Sequence, residues 1–136
     1  MREVNPYFLD DILSPLAGGA DFDELMYLQH LDANNEQEIK EILKEFLGPY
    51  FEGLSDIYKA KFKLSLAFYL KNPKVDFESI IDSYLLPFNT PSQPINLFIW
   101  LWDLLFPNED YFLISTEGII EKKDQYEPMR LSTKPP

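Results

Sequence analysis

The stretch SDIYKAKFKLSLAFYLK, Ser55–Lys71, decides the fold. Tyr58, Ala60, Phe62, Leu64 and Leu66 alternate with Lys59, Lys61, Lys63 and Ser65, which is the period of a half-buried strand. The run is too long for that reading, since strands average about 5–6 residues. Ser55 can cap a helix start, Lys71-Asn72-Pro73 is a helix-stop sequence, and Ala, Lys and Leu favour helix intrinsically. The segment is therefore expected to be helical.

Upstream, the residues from about Glu36 to Leu47 place Ile39, Ile42, Leu43, Phe46 and Leu47 on one helical stripe. Glu38, Glu41 and Glu45 fall on another face, Glu36 and Lys40 form a favourable i,i+4 pair, and Gly48-Pro49 is expected to stop the helix. Asn5-Pro6 reads as the cap of a first helix carrying Phe8, Leu9, Ile12 and Leu13. Asp21 and Glu24 resemble a capping box ahead of a short helix through Leu25, Leu28 and Leu31. Downstream, Asp76 caps a helix with Phe77, Ile80, Ile81, Tyr84 and Leu85 on one side. The stiff connection PFNTPSQP then leads to a helix over Ile95–Phe106 that is apolar all round apart from Asn96 and Asp103. Such a helix belongs at the centre of a bundle. Tyr111–Ile114 and Ile119-Ile120 suggest a short C-terminal β-hairpin around Thr116-Glu117-Gly118. The expected fold is mostly α: an irregular bundle of about five or six helices around the apolar helix near 95–106. Residues 1–127 form one domain and 128–136 a loose tail.

The 136 residues carry 23 acids and 12 Lys and Arg, a formal net charge of -11. A general nucleic-acid binder needs a basic face, and an electrostatic membrane anchor needs basic clusters; neither fits. Disulfides and thiolates are excluded, because Cys is absent. The start MREVNPYFLDD sets acids where a secretory signal would be apolar. The most apolar run, Ile95–Phe106, falls short of the roughly 20 residues of a membrane-spanning helix. A cytoplasmic location is expected. His30 has no second His or Cys with which to share a metal, and Asp21, Asp23 and Glu24 lack the calcium-loop spacing. Neither a cofactor nor a metal is expected. Asp10-Asp11 and Glu109-Asp110 could be hydrolytic carboxylate pairs, but adjacent acids are common in so acidic a chain, and no catalytic motif is present. The expectation is a protein that is not an enzyme.

The charge is uneven. Residues 1–58 hold thirteen acids against three bases, residues 59–74 hold five lysines and no acid, and residues 75–113 hold six acids and no base. A surplus of carboxylates promotes solubility; gathered on one face, it also steers a cationic partner. Tight binding further needs aromatic anchors. The candidate partner-binding residues are therefore Glu38, Glu41, Glu45, Glu52 and Asp56 for the field, with Tyr58 as anchor.

The stretch Asn35–Tyr58 resembles the colicin-nuclease immunity proteins, in which an acidic helix precedes a Ser-Asp-Leu-Ile-Tyr-Tyr-Pro motif. Here Asn35-Glu36-Gln37-Glu38 opens the helix and Gly53-Leu54-Ser55-Asp56-Ile57-Tyr58 follows it. The aliphatic pair is reduced to Ile57, the second Tyr is Lys59 and the Pro is missing. The broader resemblance is to small acidic bacterial immunity proteins of contact-dependent inhibition and secreted-toxin systems. It implies a protein that neutralises a basic toxin domain, a nuclease above all, and it gives the contact role to Asp56 and Tyr58. The alternative is an adaptor or secretion chaperone holding a protein partner in an apolar groove beside the helix of Phe98 and Trp100. That helix also offers a self-association surface, so a homodimer stands beside the monomer.

Overall fold

The computed structural model describes residues 2–16, 32–82 and 90–132. In chain order these form β1 (Arg2–Val4), α1 (Tyr7–Asp11), α2 (Glu36–Glu52), α3 (Asp56–Lys71), α4 (Phe77–Asp82), α5 (Ile95–Leu105), β2 (Ile119–Glu121) and α6 (Glu127–Leu131). Short 3₁₀ turns occupy Ser14–Leu16 and Tyr111–Leu113. The expected helix at residues 21–31, with His30, lies outside the described residues, as do Tyr84 and Leu85 of the helix expected after Asp76.

The ambiguous stretch is a helix. The Ser55 hydroxyl accepts a hydrogen bond from the Tyr58 N–H at 3.1 Å, and Asp56 and Lys71 sit at the ends where the helix dipole favours their charges. The alternation has a packing cause. Tyr58, Phe62, Leu66 and Tyr69 are buried, whereas Lys59 and Lys63 lie along the core rim with their ammonium groups 5.6 and 5.2 Å from the Phe51 and Phe106 ring centroids. Long aliphatic stems cover apolar surface and keep the charge in water. Helix α3 packs on α1, β1, α5 and α6, so it shares the centre of the molecule with α5.

Helix α2 begins as its sequence suggests, with the Asn35 side chain accepting from the Glu38 N–H at 3.1 Å. It does not stop at Gly48-Pro49 but runs through Pro49 to Glu52. An interior proline removes a hydrogen bond at a cost of about 3 kcal/mol. The last turn offsets this by tertiary contacts. The buried Phe51 ring lies 5.6 Å from Phe62 and 5.9 Å from Phe106, and the Tyr50 hydroxyl donates to Asp11 at 2.9 Å. Burying one such aromatic contributes about 1.5–3 kcal/mol.

The C-terminal hairpin is not formed. Strand β2 instead pairs in parallel with β1, in the register Arg2↔Ile119, Glu3↔Ile120 and Val4↔Glu121, while Tyr111–Leu113 is a 3₁₀ turn. Gly118, at φ 68°, turns the chain into β2 in a conformation costly for other residues. Three-residue strands show no periodicity, and a partner more than a hundred residues away leaves no local turn signal. The start of the expected tail is also ordered: α6 packs on α1 and α3 with Pro128 buried.

The reason lies in a polar node at Asn5. Its backbone N–H donates to Ser65 at 3.0 Å, and its side chain donates to the Asp124 carbonyl at 2.8 Å and to Glu127 at 3.0 Å. Glu127 is buried, and it also accepts from Lys61 and Lys122, each at 3.1 Å. Burial pushes its carboxyl upward, but the hydrogen bonds from Asn5, Lys61 and Lys122 outweigh that and hold it below the usual range. Asn5 and Glu127 are thereby both fastened to α3.

Candidate functional site

An α-helix advances 100° per residue, so Glu38, Glu41, Glu45 and Glu52 fall within an arc of about 60° on α2. The opposite side is buried through Ile39, Ile42, Leu43 and Leu47. Glu41, Glu45 and Glu52 are exposed, and among the described residues they make no ion pair or side-chain hydrogen bond. Glu38 is half-buried and accepts from the Asp32 N–H at 3.2 Å. Asp56, also exposed, follows in the first turn of α3, where a carboxylate stabilises the helix start. Four of the six sequence candidates thus line one helix face, and a fifth opens the next helix.

Tyr58 departs from its expected role. It has no exposed surface, its ring meets Phe8 edge-on at 5.1 Å, and its hydroxyl donates to Asp11 at 2.5 Å. A side chain so enclosed is no surface anchor. The local spacing explains the outcome: Tyr58 and Phe62 lie one turn apart on the core side of α3. Phe98 and Trp100, the residues named for an apolar groove, are likewise buried in the core. Leu97, Leu101 and Trp102 join them, whereas Ile95, Ile99, Leu104 and Leu105 on the same helix are half-buried.

Among the described residues, none of the five lysines forms an ion pair with a carboxylate of the α2 stripe. Lys61 pairs with Glu127 and, at 3.8 Å, with Glu3. Lys63 pairs with Glu109, and Lys74 with Glu121 at 3.9 Å. Lys71 donates to the Ile114 carbonyl at 2.9 Å and Lys59 to the Glu52 carbonyl at 3.2 Å. The carboxylates they engage come from both ends of the chain and the segment after α5.

Beside the acidic stripe, the seam between α2 and the end of α5 opens into two adjoining hollows of about 470 and 380 Å³ that share Lys44 and Leu104. Glu36, Lys40 and Glu41 line one, and Pro49, Glu52 and Leu105 the other. Lys40 bridges the seam, 2.9 Å from Glu36 and 3.5 Å from Asp103; the Glu36 hydrogen bond leads the causes that raise its pKa. The sequence gives no sign of this groove, because half-buried leucines at the end of an apolar helix follow the same pattern as its core.

The carboxylate pairs considered for hydrolysis have structural partners. Asp11 receives the Tyr50 and Tyr58 phenols, Glu109 holds Lys63, and Asp110 accepts from the Phe112 N–H at 2.9 Å. Among the described residues, no cluster of His, Cys, Asp and Glu is placed to hold a metal, and no helix is long and apolar enough to cross a membrane. What the described surface offers is a charged stripe beside a shallow groove, an arrangement suited to binding. Comparison with protein-family models, curated proteins and solved structures finds no match to this chain.

Proposed function

We propose that this chain is a non-enzymatic, immunity-like protein that binds and neutralises a basic toxin domain, a nuclease above all, in the cytoplasm. The observation that carries the reading is the stripe of Glu41, Glu45 and Glu52, whose exposed carboxylates have no cationic partner among the described residues, while Lys61, Lys63 and Lys74 pair with carboxylates elsewhere. Like charges held together repel, and a cationic partner relieves that repulsion while being steered to the face. A nuclease needs a cationic cleft for its substrate, so an acidic face covering or flanking that cleft excludes nucleic acid. The resemblance of Asn35–Tyr58 to the colicin-nuclease immunity proteins supports the same reading, with Asp56 as the inherited contact and Tyr58 given to the core.

The test is capture from the native host at low and high salt, followed by mass spectrometry and by toxicity of the captured protein expressed alone. A basic domain, released by salt and harmless when co-expressed with this chain, is the expected result. A partner indifferent both to salt and to Glu41→Lys with Glu45→Lys would overturn the reading. The second reading, an adaptor or secretion chaperone, draws on the apolar atoms of Leu104, Leu105 and Pro49 in the groove; it requires binding that persists at high salt.

A further inference from the structure

We infer that the groove between α2 and α5 seats an amphipathic cationic segment of the partner, with an aliphatic side chain on Leu104, Leu105 and Pro49 and Lys or Arg against Glu41 and Glu52. The inference rests on the acidic-face reading above and supplies the anchor that Tyr58 cannot be.

Three features select this occupant. The apolar contribution is confined to the end of α5 and to Pro49, which suits a row of a few aliphatic groups rather than a broad apolar surface. Glu41 and Glu52 of the acidic stripe line the groove opposite it, and their carboxylates have no cationic partner among the described residues. The lysines at the groove differ in kind: Lys40 is already held by Glu36 and Asp103, Lys59 lies beyond the Glu52 end with its ammonium on the Glu52 carbonyl, and Lys44 lines both hollows and opposes an incoming cation. The rim is thus complementary to positive charge around an apolar strip, the inverse of a basic amphipathic helix. Steering by the stripe brings the segment in, and burial of its aliphatic groups retains it.

The test uses the full chain labelled with ¹⁵N and a synthetic helical peptide with leucines on one side and lysines on the other. Two control peptides carry serine in place of leucine, or glutamate in place of lysine. The Leu/Lys peptide is expected to shift the amide signals of Lys44, Gly48, Leu104 and Leu105. It should bind at least about tenfold tighter than the Ser/Lys control, the gain expected from covering one or two aliphatic groups. Leu104→Gln should remove that advantage, and Lys44→Gln should tighten binding about two- to fivefold. The peptide comparison leaves the protein unaltered and so does not depend on the folding of any variant. Equal binding of both lysine peptides, with shifts confined to Glu41, Glu45 and Glu52, overturns the groove while leaving the acidic face in place. Equal binding of the glutamate peptide overturns the cationic occupant. No binding by either lysine peptide overturns the groove and the acidic face together.

Discussion

Asp11 receives two phenols on one carboxylate oxygen, from Tyr50 at 2.9 Å and Tyr58 at 2.5 Å. Hydrogen bonds to a charged acceptor are stronger than neutral ones, and these tie α1 to α2 and α3. Tyr58→Phe keeps the ring on Phe8 and removes one of the two bonds. A loss of about 1–2 kcal/mol in urea unfolding is expected, with partner affinity unchanged. A large loss of affinity at unchanged stability would return Tyr58 to the interface. Glu127 gives a residue-scale prediction in pH. Its folded pKa lies below the ordinary value of 4.5, so the unfolded chain binds the proton more tightly. Its stabilisation is complete above that ordinary value and is lost as pH falls through the depressed folded one. Glu127→Gln should therefore cost about 1–2 kcal/mol at neutral pH, and the difference should shrink in acid. A pH-independent difference would show that shape, not charge, holds α6 in place.

Among the elements, α3 was legible because its signals agreed at both ends: Ser55 caps it, and Lys71-Asn72-Pro73 closes it. Its alternating centre has strand period because Lys59 and Lys63 cover the core rim with their stems. Ser55 has a second duty that no local pattern reveals, since its hydroxyl donates to the Leu131 carbonyl. Ser55→Ala should accordingly cost about 1–2 kcal/mol, at the upper end for a lost cap, and should loosen α6. Amide exchange at residues 127–131 would check the second effect; unchanged protection there would limit Ser55 to capping. Helix α2 shows the opposite balance. Pro49 reads as a stop because its local cost is real, but the burial of Phe51 is not visible from the neighbouring sequence. Pro49→Ala restores an N–H toward the Glu45 carbonyl and should stabilise the protein by about 1–2 kcal/mol. Destabilisation would mean that the proline's shape is itself part of the packing. The β1–β2 pair escaped detection because each strand is three residues long and its partner lies at the far end of the chain.

At the scale of the molecule, charge and composition were readable from the first, whereas the pairing of charges was not. The sequence showed that thirteen acids precede five lysines; it could not show which acids those lysines would meet. In the fold, Lys61, Lys63 and Lys74 turn to Glu3, Glu109, Glu121 and Glu127, and the carboxylates of the exposed α2 stripe pair with none of the band among the described residues. That division is the basis of the functional proposal. The periodicity of Glu38, Glu41 and Glu45 made most of the stripe legible, while Tyr58 and the groove depended on packing between distant segments. The most direct test is the association rate of the captured partner, measured by stopped flow across ionic strength for the native chain and for the Glu41→Lys, Glu45→Lys variant. The native rate should fall at least about tenfold as salt is raised, and the variant should be slow and nearly insensitive to salt. Equal rates for the two proteins at every ionic strength would contradict the account.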